Sequence, residues 1–269
     1  MTQSILRKIM LLLVISCISV SSFASWWWGM TGHRVVGEIA QSYLSSKARK
    51  AIKGILGDES LAMAANWADF IKSDSNYNYL NPWHYMNTRA GLSHDDIMNM
   101  LAPDTGINLY SKMNFVIREL KNKNLEHDKK VFYLRLLIHF AGDLHQPLHV
   151  GGRPEDLGGN RVRVLWFSDS TNLHSVWDEK LVDYQNLSYT EFAKAINHTT
   201  KQQRATWQKS PMAEWFYESY QISQGIYAGV TRPFQRLGFR YSFDYLETVN
   251  QQLLKGGVRL AGLLNEIFG

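Results

Sequence analysis

Cysteine is almost absent from this 269-residue chain. The single one, Cys17, lies within the first 25 residues, which we predict to be a signal peptide that is removed on export. The mature chain then has no disulfide, although exported proteins often carry them. We therefore expect something other than disulfides to supply rigidity.

The N-terminal segment has the features of a sorting signal. Arg7 and Lys8 precede a short apolar stretch at residues 9–20, and Ser22-Phe23-Ala24 offers the small residues that a signal peptidase reads. We expect residues 1–25 to be removed, with cleavage somewhere near residues 24–27. The protein is therefore expected to be exported, either secreted or periplasmic.

The remaining sequence also lacks long apolar runs, internal repeats, low-complexity tracts and Pro/Gly/Ser-rich linkers. A membrane-spanning helix needs roughly 20 consecutive apolar residues, so we predict no membrane span. About 240 residues can bury one sizeable core or two modest ones. With no linker to divide them, we expect residues 26–269 to form one catalytic domain. The formal charge of +5 falls by two when Arg7 and Lys8 are lost, which is ordinary for a protein surface and only weakly favours a phosphate-bearing partner.

Apolar residues recur mostly at helical spacing. In GHRVVGEIAQSYL they fall three and four residues apart. Similar patterns cover residues 62–71, 109–120, 129–143, 190–206, 213–227 and 243–268. Only RVRVLWF at residues 161–167 alternates like a strand. The sequence predicts a mostly all-α single domain with at most a short β-hairpin.

Histidine and aspartate are concentrated in IHFAGDLHQPLH, residues 138–149. His139 and Asp143 are four residues apart, so they lie on one face of a helix and can share a ligand. Pro147 ends that helix and delivers His149 from the following turn. A lone histidine is more often a hydrogen-bonded core or surface residue, and we keep that interpretation for His145.

A second segment repeats the spacing. In NLHSVWD, His174 and Asp178 are also four residues apart, on a possible helical turn or two. Imidazole and carboxylate without thiolate favour zinc or a similar metal in a site left open for water.

Three further residues have the same chemistry but less distinctive surroundings. Asp69 in NWADF is either a ligand or an ion-pair partner of Lys72, and His84 in NPWHYMN is either a ligand or a member of an aromatic cluster. His33 stands on the first turn of the first helix.

Seven motifs, taken in order, resemble those of the zinc-dependent single-strand-specific nucleases, the type I nuclease and 3′-nucleotidase family within the zinc phospholipase C superfamily. They are WGMTGHRVVGEIA, NWADF, WHYMN, IHFAGDLHQPLH, GGN, NLHSVWD and GGVRLAGLLNEIFG. The resemblance runs from Trp28 to Gly269. It implies a helical fold of the phospholipase C and single-strand nuclease type, with three zinc ions per chain.

The resemblance also implies a ligand set. The first zinc would be held by Asp69, His84, His139 and Asp143. The second would be held by His149, His174 and Asp178. The third would use His33, the bridging carboxylate of Asp143, and the backbone amine and carbonyl of Trp28. Asp69 and Asp143 are the expected catalytic residues, with Asp69 orienting the attacking water and Asp143 joining two ions.

Four more residues are expected to contact the substrate. Lys72 matches a basic residue of the family, and Tyr85 matches an aromatic residue that stacks on a base. Asn87 replaces an aspartate that some relatives use at the base edge, and Asn160 in GGN lies near the scissile phosphate. Each is also explicable as a packing, surface or turn residue.

The expected activity is hydrolysis of single-stranded DNA and RNA to 5′-phosphate products by a monomeric enzyme, with 3′-nucleotides as further substrates. One departure concerns Trp28, because Ser25, Trp26 and Trp27 separate it from the predicted cleavage point and its amine must be free to bind a metal. Two alternatives stay open: a zinc phospholipase C and a non-catalytic exported zinc-binding protein.

Overall fold

The computed structural model describes residues 29–269, so the predicted signal peptide and Trp28 lie outside the described residues. Helices dominate this part of the chain. In chain order they are α1 Met30–Ser42, α2 Ser46–Leu56, α3 Leu61–Ala64, α4 Trp67–Phe70, α5 His94–Leu101, α6 Leu109–Leu120, α7 His127–Asp143 and α8 Pro147–Val150. There follow α9 Leu173–Ser175, α10 Leu181–Asp183, α11 Tyr189–Ile196, α12 Lys201–Lys209, α13 Met212–Ala228 and α14 Phe239–Phe268.

Tighter and wider helical turns complete the helical part. The 3₁₀ segments are Ile71–Ser73, Ser75–His84 and Pro154–Asp156, and a π-helical turn covers Val176–Lys180. The prediction of a mostly helical single domain is confirmed. No helix among residues 29–269 combines the length and apolar character that crossing a bilayer requires.

A small sheet is more extensive than the predicted hairpin. Strands β1 Arg163–Trp166 and β2 Asp169–Asn172 form the hairpin, with Arg163 opposite Asn172. A third strand, β3 Gln235–Leu237, pairs with β1 in parallel. Three residues are too few to show an alternating pattern, which explains why the sequence did not indicate β3.

The periodic stretch at residues 190–206 was expected to be one helix, and this expectation is wrong. It divides into α11 and α12 because Thr200 caps the start of a new helix. The Thr200 side chain accepts a hydrogen bond from the backbone N–H of Gln203, and the Gln203 side chain accepts one from the backbone N–H of Thr200. This reciprocal capping box satisfies two donors at the start of α12. Helices α2 and α5 were not predicted at all.

The core forms around α1, α7 and α14. Two glycines allow the closest approaches: a Cβ at Gly257 of α14 would lie 2.5 Å from Ile39 Cβ of α1, and a Cβ at Gly37 would lie 2.6 Å from the Leu61 carbonyl oxygen. Helix α1 is therefore clamped between α14 and the segment that begins α3.

Buried polar groups on α13 and α14 hold the connection between α7 and α8 in place. Ser219 Oγ donates to the Leu144 carbonyl at 2.7 Å, and Gln252 Nε2 donates to the His145 carbonyl at 2.8 Å. Arg259 is 1% exposed, contacts His145 Nε2 at 3.0 Å and forms a two-oxygen ion pair with Glu218. Helices α13 and α14 thereby fix the turn that follows the histidine-rich helix.

Candidate metal centre

Eight histidine and aspartate side chains from separate elements converge within the fold. They form three groups, two of which share His139, and within each group the potential ligand atoms lie within 4.8 Å of one another. The groups are His33, Asp69 and His139; His84, His139 and Asp143; and His149, His174 and Asp178. The structure thus brings together every predicted ligand except Trp28, which lies outside the described residues.

The first half of the cluster is organised around the end of α7. His139 Nε2 lies 3.3 Å from Asp69 Oδ1 and 3.2 Å from Asp143 Oδ2. His84 Nδ1 lies 3.0 Å from His139 Nε2 and 3.1 Å from Asp143 Oδ2. Four potential ligand atoms therefore surround one small volume.

The second half combines α8 with the segment Leu173–Lys180. His149 Nε2 lies 3.3 Å from Asp178 Oδ1, and His174 Nε2 lies 3.0 Å from Asp178 Oδ2. The two imidazoles are stacked, with their centroids 5.1 Å apart. His149 Nδ1 also approaches Asp143 Oδ1 at 3.1 Å, so the two halves adjoin.

His33 approaches from α1 and packs against the first half. Its ring stacks on His139 with centroids 3.8 Å apart, and its Nε2 lies 3.5 Å from Asp143 Oδ1. A Cβ at Gly142 would lie only 2.6 Å from His33 Nδ1. The absence of a side chain at Gly142 therefore makes room for this imidazole.

Backbone carbonyls orient three of the histidines. The Nδ1 atoms of His139, His149 and His174 lie 2.6, 2.9 and 2.7 Å from the carbonyl oxygens of Ala65, His84 and Gly158, respectively. Because a carbonyl oxygen only accepts hydrogen bonds, each Nδ1 carries the proton. The Nε2 atom of each ring is then turned toward the cluster, which is the usual arrangement of metal-binding histidines.

The donor set fits a metal. Asp143 Oδ1, His149 Nε2 and Asp178 Oδ2 are buried and make no hydrogen bond within the part of the chain that the structure describes. Buried polar atoms of this kind are costly unless they bind something. Their imidazole and carboxylate chemistry matches zinc or another borderline divalent ion.

Without a metal, the cluster carboxylates stabilise the protonated form of two histidines. Burial alone would lower the pKa of His139, but Asp143 and Asp69 outweigh it and raise that pKa to about 10. Burial is likewise outweighed at His149, whose pKa is raised to about 10 by Asp178 and Asp143. Protons on these rings occupy the place that a cation would take.

His33 and His84, in contrast, stay neutral. Burial, together with the charge on His139, lowers the pKa of His33 to about 3. Burial and the nearby Lys72 ammonium lower the pKa of His84 to about 4. Neutral imidazole is the form that binds metals, so these two rings need no proton removed.

An open pocket of about 480 Å³ lies over the cluster. Its wall includes all four predicted substrate-binding residues, which are Lys72, Tyr85, Asn87 and Asn160. Three of the cluster histidines also line it, namely His84, His149 and His174. A substrate in this pocket would therefore reach the potential metal ligands directly.

Local contacts show further roles for two of these residues. Lys72 Nζ lies 3.1 Å from Asp69 Oδ1, so the ion pair considered from the sequence is present and sits at the edge of the cluster. Asn160 Nδ2 donates to the Leu157 carbonyl at 2.8 Å, which is ordinary turn chemistry. Tyr85 is 44% exposed and presents its ring at the pocket wall.

Sequence reasoning missed several residues that shape the site. Asn81 and Leu157 line the pocket, and Leu157 adopts a left-handed backbone conformation with φ of 55°. Gln146 joins the two halves of the cluster through Asp178, and only its place in the QPLH motif could have drawn attention to it. His145 lies outside the cluster, since its Nδ1 is 2.7 Å from the Ala141 carbonyl and its Nε2 contacts Arg259.

Comparison with known proteins agrees with this geometry. Residues 28–269 match the family model for S1/P1 Nuclease. Endonuclease 2 of Arabidopsis thaliana is 32% identical over 268 residues, covering 90% of this chain and 91% of the relative. Nuclease P1 of Penicillium citrinum is 28% identical over 274 residues, covering 90% and 98%. The chain therefore belongs to the S1/P1 nuclease family.

Proposed function

We propose that the protein is an exported, monomeric, zinc-dependent endonuclease. Its substrates are single-stranded DNA and RNA, its products carry 5′-phosphates, and it also removes phosphate from 3′-nucleotides. The observation that carries this proposal is the convergence of eight histidine and aspartate side chains beneath an open pocket. Membership of a nuclease family supports it.

Three zinc ions would be shared among the cluster and the N-terminus. The residues that would hold them are Asp69, His84, His139 and Asp143 for the first, His149, His174 and Asp178 for the second, and His33, Asp143 and the Trp28 backbone for the third. Asp143 suits a shared role because its two oxygens face different neighbours. Oδ2 faces His84 and His139, and Oδ1 faces His33 and His149.

Hydrolysis of a phosphodiester needs a nucleophile at neutral pH and neutralisation of the phosphate oxygens. Bound zinc supplies both, since it lowers the pKa of water from 15.7 toward about 7 and acts as a Lewis acid. Asp69 would orient the attacking water, because its Oδ1 is fixed between Lys72 Nζ at 3.1 Å and His139 Nε2 at 3.3 Å. Lys72 would neutralise a phosphate oxygen from the pocket wall.

Preference for single strands follows from the depth of the cluster. His139, Asp143 and Asp178 are fully buried, so a nucleotide must leave a base stack before its phosphate reaches them. Stacking of the freed base on Tyr85 would return about 1 to 3 kcal/mol. A duplex would have to break its base pairs as well.

The first test combines zinc content with hydrolysis of single-stranded DNA, using the naturally processed protein and mass spectrometry of its N-terminal residue. Asp143→Asn should abolish turnover and bind fewer zinc ions, because the shared carboxylate is lost. Asp128→Asn is the matched control, since Asp128 lies on the same helix but at its exposed first turn. Loss of turnover in Asp143→Asn with every zinc ion retained would contradict the bridging role.

The same preparation separates the alternatives. Hydrolysis of phosphatidylcholine without turnover of DNA or RNA would indicate a phospholipase. Stoichiometric zinc without turnover of any phosphoester would indicate a binding protein. Activity with Ser25 or Trp26 at the N-terminus would exclude the Trp28 amine as a ligand.

A further inference from the structure

Gln146 is a buried amide that links the two halves of the cluster. It has no solvent exposure. Its Oε1 accepts a hydrogen bond from the Leu148 backbone N–H at 2.6 Å, and its Nε2 donates to Asp178 Oδ1. Its own backbone N–H donates to the Asp143 carbonyl at 3.0 Å.

These three bonds tie together segments that each carry a potential ligand. Asp143 ends α7, Leu148 precedes His149 in α8, and Asp178 lies about 30 residues further along the chain. A single glutamine therefore spans the short turn between two ligand-bearing helices and fixes it to a third ligand.

The bond to Asp178 determines how that carboxylate can act. A carboxylate that is free to rotate can offer either oxygen to a neighbour. The Gln146 amide holds Oδ1, which lies 3.3 Å from His149 Nε2, and leaves Oδ2 3.0 Å from His174 Nε2 without a hydrogen bond in the described chain. The amide also adds no charge to a cluster that already contains three carboxylates.

We infer that Gln146 is a positioning residue for the metal that His149, His174 and Asp178 would hold, an inference that rests on the proposed zinc site. It fixes the rotation of the Asp178 carboxylate so that Oδ1 stays beside His149 Nε2 and Oδ2 stays beside His174 Nε2 before the metal arrives. The bond to Leu148 could by itself be a purely local cap of α8, so the test must separate capping from positioning.

The variant Gln146→Met keeps the length of the side chain and removes both hydrogen bonds. Gln252→Met is the matched control, because Gln252 is another buried glutamine whose amide bonds the His145 carbonyl and Ser219 rather than a potential ligand. Zinc per chain is measured by mass spectrometry across a series of zinc-buffered solutions. The midpoint of thermal unfolding is measured with zinc and with chelator.

Loss of a group that orients a metal ligand typically weakens metal binding 10- to 100-fold. In Gln146→Met we expect the affinity for one of the three zinc ions to fall by this factor. Adding zinc should also raise the unfolding temperature of this variant by less than it raises that of the wild type. Gln252→Met should lower the unfolding temperature equally with and without zinc and leave zinc affinity unchanged. In the cadmium-substituted protein, one ¹¹³Cd resonance of three should shift in Gln146→Met.

Wild-type zinc affinity in Gln146→Met, or an equal loss of affinity in Gln252→Met, would overturn the inference. If Gln146→Met does not fold, Gln146→Asn keeps the amide one methylene shorter and is judged by the same criteria. Fewer than three zinc ions in the wild-type protein would refute the proposed metal site instead, so the two failures are distinguishable.

Discussion

Replacing Gly142 with alanine tests whether a missing side chain makes room for His33. The new Cβ would lie 2.6 Å from His33 Nδ1 and 2.9 Å from Cε1. Ordinary van der Waals contact begins near 3.4 Å, so the imidazole must move by about 0.8 Å. Because its ring is stacked on His139 with centroids 3.8 Å apart, such a movement would also disturb that stack.

Two effects of opposite sign set the size of the change. Alanine stabilises a helix by up to about 1 kcal/mol relative to glycine. Overpacking a buried position costs about 1 to 3 kcal/mol. Gly225→Ala provides the control, since Gly225 lies within helix α13 and a Cβ there would meet no atom within 4 Å. The free energy of unfolding of Gly142→Ala should therefore lie about 1 to 3 kcal/mol below that of Gly225→Ala.

The assay is chemical denaturation of both variants with zinc bound, together with zinc content. Displacement of His33 should also reduce zinc binding in Gly142→Ala and leave it unchanged in Gly225→Ala. If Gly142→Ala were as stable as Gly225→Ala and bound as much zinc as the wild type, the steric reasoning would be refuted.

Three other predictions use different parts of the structure. Gly158→Ala and Gly57→Ala should each lose about 1 to 3 kcal/mol of stability in denaturation, because both glycines have a positive φ near 65°, which L side chains disfavour. Only Gly158→Ala should also weaken zinc binding, and equal zinc affinities would refute the role of the Gly158 carbonyl. Glu218→Gln should lower the free energy of unfolding by about 1 to 3 kcal/mol, since it leaves the buried Arg259 guanidinium without its partly exposed counter-charge. A loss below about 1 kcal/mol would show that the pair is screened. Zinc binding near pH 8 should release protons. The reason is that burial is outweighed by carboxylates, which raise the pKa of His139 to about 10 when no metal is bound. If this is wrong, the binding enthalpy measured by calorimetry will be the same in two buffers of different ionisation enthalpy.

Strong helical periodicity was a reliable guide to the fold. The stretch at residues 109–120 coincides with α6, and the stretch at 129–143 falls within α7. Periodicity could not show the break between α11 and α12, because a local capping box interrupts an otherwise continuous pattern. It also could not show β3, whose pairing with β1 depends on contacts about 70 residues apart in the chain.

The candidate site was predictable in part from spacing. Residues four apart on a helix share a face, which places His139 beside Asp143 without knowledge of the fold. The convergence of His33 with them depends on how α1 crosses α7, and that crossing depends on glycine contacts. Residue spacing does not indicate the orienting carbonyls or the bond from Gln146 to Asp178.

The carbonyls that orient three of the histidines have a consequence for mutational tolerance. The bonds come from the main chain of residues 65, 84 and 158. Every amino acid provides a main-chain carbonyl, so a substitution that preserves the backbone path leaves this part of the metal environment intact. Ala65 is fully buried, so its side chain is constrained by packing, but a replacement that fits the core would keep the carbonyl that orients His139. Replacing Gln146, in contrast, removes its bond to Asp178, because that bond is made by the side chain.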